Sequence, residues 1–200
     1  MKNSLIEIIA KVKCKAKEDF VPIVRDNTLE KLIQICRECN VKQVLEIGTA
    51  TGYSGLNFLT IDNISLTTIE KDINRFEEAK LNFENAGVSE MVTQILGDAG
   101  EELKKLVNSD SQFDFIFLDG PKGQYLHYLP YLNQLLVRGG ILFADNILLG
   151  GLINDESRVN HKNRTMVRNM KKFLDKIMYS DEFQTEIHEI DDGFAVCKKQ

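Results

Sequence analysis

The feature that most constrains the fold is an alternation of short apolar runs with longer helical stretches. Runs rich in β-branched and apolar residues predict strands at residues 43–48, 65–70, 92–98, 113–119 and 140–146. Between them, the spacing of Leu, Ile, Phe and Val predicts helices at residues 53–59, 73–86, 100–107 and 125–137. This repetition predicts a doubly wound α/β sheet, mostly parallel, with right-handed crossovers and helices on both faces.

The two ends of the chain depart from this alternation. Residues 184–190 and 194–199 are strand-like and are separated by Asp191-Asp192-Gly193, which predicts an antiparallel hairpin at the sheet edge. Residues 4–17 and 28–39 predict two extra N-terminal helices. We expect one domain over residues 1–200, in which residues 1–40 cover the site and residues 41–200 form the cofactor-binding and catalytic core.

Composition excludes several other classes of protein. Glu7 and Lys11 interrupt the first apolar run, so it predicts neither a signal peptide nor a membrane span, and we expect a cytoplasmic location. Cys36-x-x-Cys39 has no second pair to complete a zinc site, and we interpret it as two small apolar residues on a helix. The net charge of -5 gives no general attraction to nucleic acid, so such contact requires a local basic patch.

The first predicted strand leads into a turn with two glycines, Gly48 and Gly52, that opens a helix. Glycines let a ligand approach the backbone, and ligands of open parallel sheets bind beyond the carboxyl ends of the strands. We predict a nucleotide-like cofactor there, with a tight turn alone as the alternative. Glu70 can accept hydrogen bonds from both ribose hydroxyls, unless it is a solvated strand-end residue. Asp98 and Ala99 follow the third strand and are candidates for the adenine edge.

Three oxygen donors follow the fourth and fifth predicted strands: Asp119, then Asp145 and Asn146. Two carboxylates and an amide carbonyl suit Mg²⁺, and no Cys or His accompanies them to favour zinc. Capping of strand ends would explain each residue singly but not all three at adjacent ends. Lys122 lies three residues past Asp119 and could reach a substrate oxygen as a general base; an exposed loop lysine is the alternative.

A basic helix follows the predicted metal loop. Its cations are Lys162, Arg164, Arg168, Lys171 and Lys172, and its apolar stripe is Met166, Met170, Phe173, Leu174 and Ile177. A basic outer face is usually only solvated, but this position makes it a candidate nucleic-acid surface. The histidines His127, His161 and His188 lack obvious partners, and we expect them to be structural or solvated.

Together these motifs resemble the cation-dependent O-methyltransferases, which include the catechol and caffeoyl-CoA methyltransferases. The resemblance rests on Val44-Leu45-Glu46-Ile47-Gly48-Thr49 with Gly52-Tyr53-Ser54, then Glu70, Asp119 with Lys122, and Asp145-Asn146. It implies a seven-stranded class I methyltransferase fold of Rossmann-like type, usually a homodimer. Within the family the chain is similar to bacterial tRNA 5-hydroxyuridine methyltransferases, through Val21-Pro22-Ile23, Lys122-Gly123-Gln124-Tyr125, Asp145-Asn146-Ile147-Leu148 with Gly151-Leu152, and Asp192-Gly193-Phe194-Ala195.

The resemblance implies S-adenosylmethionine and Mg²⁺, or another divalent cation, as cofactors. With the glycine turn, it gives as cofactor-binding candidates Val24, Glu46, Gly48, Ser54, Glu70, Asp98, Ala99 and Asp119. The implied metal ligands are Asp119, Asp145 and Asn146, and the implied catalytic residues are Lys122 and Asp119.

The predicted reaction is methylation of 5-hydroxyuridine to 5-methoxyuridine in a tRNA anticodon loop, with Lys162, Arg164 and Arg168 as tRNA contacts. A small catechol-type molecule or another metabolite with vicinal oxygens is the alternative, because it satisfies metal chelation equally well. A dehydrogenase would need neither the Asp-Asn pair nor the Gly-x-x-x-Gly spacing. A module that only binds S-adenosylmethionine would leave Asp145, Asn146 and Lys122 without a role.

Overall fold

The structure, a computed structural model, describes the backbone of residues 2–200 and the side chains of residues 4–155 and 157–200. The chain divides into two compact units, of which the first ends at Glu102 and the second begins at Leu103. Helix α5 (Ala99–Asn108) runs through this division. In the part of the chain that the structure describes, no helix is long and apolar enough to cross a membrane.

The first unit consists of parallel strands and the helices that connect them. Its elements are α1 (Lys2–Glu18), α2 (Asp26–Glu38), β1 (Gln43–Ile47), α3 (Tyr53–Phe58), β2 (Ser65–Glu70), α4 (Ile73–Asn85) and β3 (Val92–Leu96). The strand order in this unit is β3-β2-β1, and both pairs are parallel. The residues of β1 from Val44 to Ile47 are all buried, as expected of strands covered by helices.

Ion pairs hold α1 against the other helices of this unit. Lys15 Nζ lies 2.9 Å from Glu78 Oε1, and Arg75 donates to the second oxygen of the same carboxylate at 2.7 Å. Burial opposes the ionisation of Glu78, but the hydrogen bonds from the two cations lower its pKa overall. Lys13 Nζ lies 2.5 Å from Asp26 Oδ1 at the start of α2. The N-terminal helix is thereby fixed to both α2 and α4.

The second unit combines one parallel strand pair with an antiparallel hairpin. Its elements are β4 (Phe113–Leu118), α6 (Tyr125–Leu135), β5 (Leu136–Asp145), α7 (Arg164–Met178), β6 (Phe183–His188) and β7 (Phe194–Lys199). The order is β4-β5-β7-β6, with β4 and β5 parallel and both pairs of β7 antiparallel. Phe143 of β5 stacks on Phe194 of β7 with ring centroids 4.6 Å apart, and these aromatic rings form the centre of the core.

The predicted fold class is confirmed: there are seven strands, mostly parallel, with an antiparallel C-terminal hairpin at the edge. The largest error in a boundary is at the start of β5. The helix predicted to reach Val137 ends at Leu135, and β5 begins at Leu136 instead of Gly140. Leu136 pairs with Phe113 of β4, and the register then shifts before Ile141. The Gly139-Gly140 pair lies within the irregular part of the strand, where the sequence suggested a strand start.

Two smaller predictions are also corrected. The third strand ends at Leu96 instead of Asp98, because the Asp98 side chain accepts a hydrogen bond from Gly100 N at the start of α5. Cys36 is buried on α2 as predicted, but Cys39 is exposed at the helix end and does not contribute to the core. The division into a single domain with covering N-terminal helices stays a prediction.

Candidate active site

The loop after β1 is a tight turn in which three residues have positive φ values. Gly48 and Gly52 have φ values of 101° and 80°, in the region that favours glycine, and Ala50 between them has φ 45°. A Cβ atom at Gly52 would lie 3.1 Å from the Phe83 ring. The two predicted glycines are therefore required by the backbone, and they lie at the carboxyl end of β1.

A buried hydroxyl network underlies this loop. The Glu46 side chain is fully buried; one of its carboxylate oxygens accepts a short hydrogen bond from Ser54 Oγ and the other accepts from Thr68 Oγ1 at 2.6 Å. Thr68 Oγ1 also lies 2.5 Å from Thr49 Oγ1. Glu46 and Thr68 are register partners on β1 and β2. The network links the loop and the start of α3 to both strands.

Glu70 joins the loops that follow β1 and β2. Its Oε2 accepts from Ala50 N at 2.9 Å, while Oε1 accepts from Lys71 N at 2.8 Å and from Asp72 N at 2.9 Å. A carboxylate offers about four acceptor positions. Three backbone donors therefore fix the half-buried side chain in place and leave acceptor capacity for a ligand.

The remaining cofactor candidates of the first unit differ in exposure. Asp98 is exposed, and an ion pair with Lys71 and backbone donors at the start of α5 lower its pKa. Ala99, the first residue of α5, is buried, and so is Val24 in the segment between α1 and α2. Asp98 therefore has a capping role in addition to the predicted adenine contact.

In the second unit, Lys122 is held by two oxygen atoms. Its Nζ lies 2.6 Å from Asp119 Oδ1 and 2.9 Å from Tyr125 Oη, and only about a fifth of its side chain is exposed. It also lies 5.3 Å from the centre of the Tyr125 ring. Lys122 is therefore paired and mostly shielded from solvent, while its role as a general base stays a prediction.

Asp145 is the other carboxylate of this cluster and is 2 % exposed. Burial, followed by the negative charge of Asp119, raises its pKa to about 7. Asn146 N donates to Asp145 Oδ1 at 2.7 Å, and Asn146 adopts φ 53°. The next residues, Ile147 and Leu148, donate to backbone oxygens of the β6–β7 turn, so the hairpin fixes the loop that carries Asn146.

No cluster of three or more His, Cys, Asp or Glu side chains with metal-binding geometry occurs among the side chains that the structure describes. The predicted ligand set contains two carboxylates and one amide, and it stays a prediction. The histidines do not join it: His188 stacks on Phe194 at 4.8 Å, and His127 and His161 are exposed.

The basic helix α7 has the predicted two-sided character. Its fully buried stripe is Val167, Met170, Phe173 and Ile177, while Met166 and Leu174 are only half-buried. The predicted stripe differs in that it contains Met166 and Leu174 and lacks Val167. Lys162, Arg164 and Arg168 are exposed. A groove of about 440 Å³ is lined by Val159, Arg164, Val167, Arg168, Lys171 and Lys172.

The hydrogen-bonding roles of Thr49, Thr68 and Tyr125 were not predicted from the sequence. Thr68 is a polar residue inside a predicted buried strand, which is a signal that it has a partner. Tyr125 is fully buried, and burial raises the pKa of its phenol well above the ordinary value. Its neighbours could not be identified from sequence, because they come from the ends of two different strands.

Comparisons with known proteins identify the family. A family model described as O-methyltransferase matches residues 2–200. A caffeoyl-CoA O-methyltransferase of Populus kitakamiensis is 33% identical over 187 residues, which cover 90% of this chain and 77% of that protein.

Solved structures agree with this assignment. A Staphylococcus aureus protein provisionally described as a caffeoyl-CoA O-methyltransferase superposes with a TM-score of 0.89 at 32% identity, covering 100% of this chain and 99% of that one. An O-methyltransferase from Bacillus cereus in complex with SAH gives a TM-score of 0.87 at 21% identity, covering 97% and 91%, which is a likeness of fold. The chain therefore belongs to the O-methyltransferase family, and the predicted enzyme class, an S-adenosylmethionine-dependent O-methyltransferase of the caffeoyl-CoA and catechol type, is confirmed.

Proposed function

We propose that this enzyme transfers the methyl group of S-adenosylmethionine, with the help of a divalent cation, to the 5-hydroxyl of a hydroxylated uridine in tRNA. The observation that carries the proposal is the cluster of Asp119, Lys122 and Asp145. It combines two neighbouring carboxylates, one of them buried, with a lysine 2.6 Å from the other. Such a set can hold a cation and receive a proton from the acceptor.

The donor set fits Mg²⁺ or a similar cation. Burial and the charge of Asp119 both disfavour the ionised form of Asp145, and a divalent cation reverses this balance by attracting both carboxylates. Asn146 is half-buried and would add a neutral oxygen ligand. When bound, the cation would hold two neighbouring acceptor oxygens and favour ionisation of the one to be methylated.

We assign the cofactor to the first unit. The backbone of Gly48 permits close approach, and Glu70 retains acceptor capacity for a ribose hydroxyl. Ser54 would contact the cofactor while its hydroxyl donates to Glu46. Glu46 is fully buried, so it would support cofactor binding only by holding Ser54 in place. Further proposed cofactor contacts in this unit are Val24, Asp98 and Ala99.

Lys122 would act as the general base. In its unprotonated form it would accept the proton of the acceptor hydroxyl while Asp119 holds its nitrogen in place. As the new carbon–oxygen bond forms, the carbon–sulfur bond of the donor breaks, and the products are the methyl ether and S-adenosylhomocysteine. Fixed orientation of the reacting groups accounts for much of the acceleration of such reactions.

The basic groove of α7 favours a nucleic-acid substrate. Four cationic side chains, Arg164, Arg168, Lys171 and Lys172, line it, although the whole chain has a net charge of -5. Together with the exposed Lys162, these cations could neutralise phosphates that flank an unpaired base. A small catechol-type acceptor, the alternative, would make no use of the groove.

We also propose a homodimer, which light scattering of the purified protein would test.

The burial of Asp145 beside Asp119 predicts a distinctive pH dependence of stability. The pKa of Asp145 is about 7 in the folded protein and 3.8 ordinarily, so the folded protein retains a proton that the unfolded chain releases. In EDTA, the free energy of unfolding should therefore fall as pH rises from about 4 to 7, by up to a few kcal/mol, and level off above. Asp145→Asn should remove this fall, and urea unfolding at several pH values measures it.

Mg²⁺ should restore the stability of the natural protein at pH 8 but not that of Asp145→Asn, and methyl transfer should stop in excess EDTA. Asp181→Asn, at an exposed position, is the control and should behave like the natural protein. Equal stabilisation of the natural protein and Asp145→Asn by Mg²⁺, or full transfer in EDTA, would contradict the metal proposal.

Replacement of Lys122 by Ala should lower kcat by about 10²–10⁴-fold, the usual contribution of a positioned base. Lys122→Arg should not rescue the rate, because a guanidinium stays protonated. Calorimetry should give an unchanged affinity for S-adenosylhomocysteine, and Lys80→Ala, at an exposed position on α4, should keep its rate. Retention of most turnover by Lys122→Ala would show that another group takes the proton.

For the substrate, the enzyme should methylate tRNA carrying 5-hydroxyuridine more efficiently than a simple catechol, and unmodified tRNA not at all. The affinity for tRNA should fall steeply with salt, and the Arg164→Ala, Arg168→Ala double variant should flatten that dependence by about two phosphate contacts. Catechol turnover by this variant should be nearly unchanged. The Arg138→Ala, Lys198→Ala variant removes the same charge outside the groove and should bind tRNA normally. Efficient catechol methylation with none on the hydroxylated tRNA would make the small-molecule alternative correct.

A further inference from the structure

The Tyr125 phenol connects the ends of two strands with Lys122. Its hydroxyl lies 2.8 Å from Leu118 O, the last residue of β4, and 3.1 Å from Asp145 O, the last residue of β5. The same oxygen lies 2.9 Å from Lys122 Nζ. Tyr125 is the first residue of α6 and is fully buried, and its ring packs edge-on against Phe173 of α7 with centroids 5.5 Å apart.

The hydrogen-bond inventory of a phenol decides the direction of these contacts. Its single hydrogen points to a backbone carbonyl, with Leu118 O the nearer of the two. The oxygen lone pairs are then available to Lys122, which donates an N–H. Burial and the nearby carboxylates keep the phenol protonated. The hydroxyl therefore works as a fixed acceptor for Lys122.

We propose that Tyr125 is a positioning residue that aims the amine of Lys122 at the methyl acceptor, a role that rests on the function proposed for Lys122. An sp³ amine nitrogen has three positions besides its bond to Cε. Asp119 and Tyr125 accept N–H bonds at two of them. When the amine is unprotonated, its lone pair occupies the third position, and the two anchors determine the direction in which it points.

The two acceptors together fix the orientation of the Lys122 amine. Asp119 alone would leave the nitrogen free to rotate about one hydrogen bond, whereas two anchors fix its orientation. The phenol also contacts the ends of the two strands that lead to Asp119 and Asp145. The position of Lys122 is therefore fixed relative to the same backbone segments that position the two carboxylates. A small error in the orientation of a base lowers the rate without changing the affinity for a cofactor bound elsewhere.

The test is a double-mutant cycle between Tyr125→Phe and Lys122→Ala. Tyr125→Phe removes only the hydroxyl, and it should lower kcat by about 10- to 100-fold with little change in the KM for S-adenosylmethionine. In the Lys122→Ala background, the same substitution should lower kcat by less than about threefold, because the residue it positions is absent. Tyr131→Phe, which removes a half-buried tyrosine hydroxyl further along α6, is the control and should keep its kcat.

A readout independent of turnover accompanies the cycle. In the metal-free protein, Lys122 should be acetylated faster in Tyr125→Phe than in the natural protein or in Tyr131→Phe, as measured by mass spectrometry. Equal labelling of Lys122, an unchanged kcat in Tyr125→Phe, or full additivity of the two substitutions would overturn the inference. If Lys122→Ala itself keeps the natural rate, the base role under Proposed function fails instead, and the two failures are distinguishable.

Discussion

A buried carboxylate near the end of a strand must be stabilised by hydrogen-bond donors or by a positive charge. Each unit of this protein contains one such carboxylate, and the residues around it provide that stabilisation. Burial of an ionised group without partners is costly, so the surrounding residues are constrained by it. In the first unit the carboxylate is Glu46, and in the second it is Asp145; both are at most 2 % exposed. The loops that carry the proposed chemistry are fixed by the way each carboxylate is satisfied.

The two carboxylates are compensated in different ways, and the difference gives Glu46 a structural role and Asp145 a proposed chemical one. Glu46 receives hydroxyl donors from Ser54 and Thr68, which link β1, β2 and α3 into a rigid support for the glycine turn. Asp145 receives the backbone N–H of Asn146, but burial and then the negative charge of Asp119 raise its pKa to about 7. A carboxylate that hydroxyl donors satisfy supports the structure, whereas one whose ionisation is disfavoured by burial and by a like charge is suited to binding a cation.

The sequence was sufficient for the features that depend on local pattern. The alternation of apolar runs and helices predicts the first five strands, and the turn at Asp191-Asp192-Gly193 predicts the last two. The polar residues at the carboxyl ends of β4 and β5 identify Asp119, Asp145 and Asn146 as neighbours of strand ends. The predicted start of β5 was wrong because the Gly139-Gly140 pair resembles a strand boundary, whereas Leu136 already pairs with Phe113 of β4. The pairing of Glu46 with Thr68 and the contacts of the Tyr125 phenol depend on register and on the meeting of distant segments. Neither can be read from the spacing of residues along the chain.

The central claim is that Asp119, Asp145 and Asn146 hold a divalent cation beside Lys122. Mn²⁺ can occupy sites built for Mg²⁺ and scatters X-rays anomalously, so a crystal grown with S-adenosylhomocysteine and Mn²⁺ tests this claim most directly. The account predicts an anomalous difference peak at about 2.0–2.2 Å from oxygen atoms of all three side chains, with Lys122 outside the coordination sphere. An ordered Mn²⁺ bound elsewhere, or a cluster that holds no Mn²⁺ at saturating metal, would contradict it.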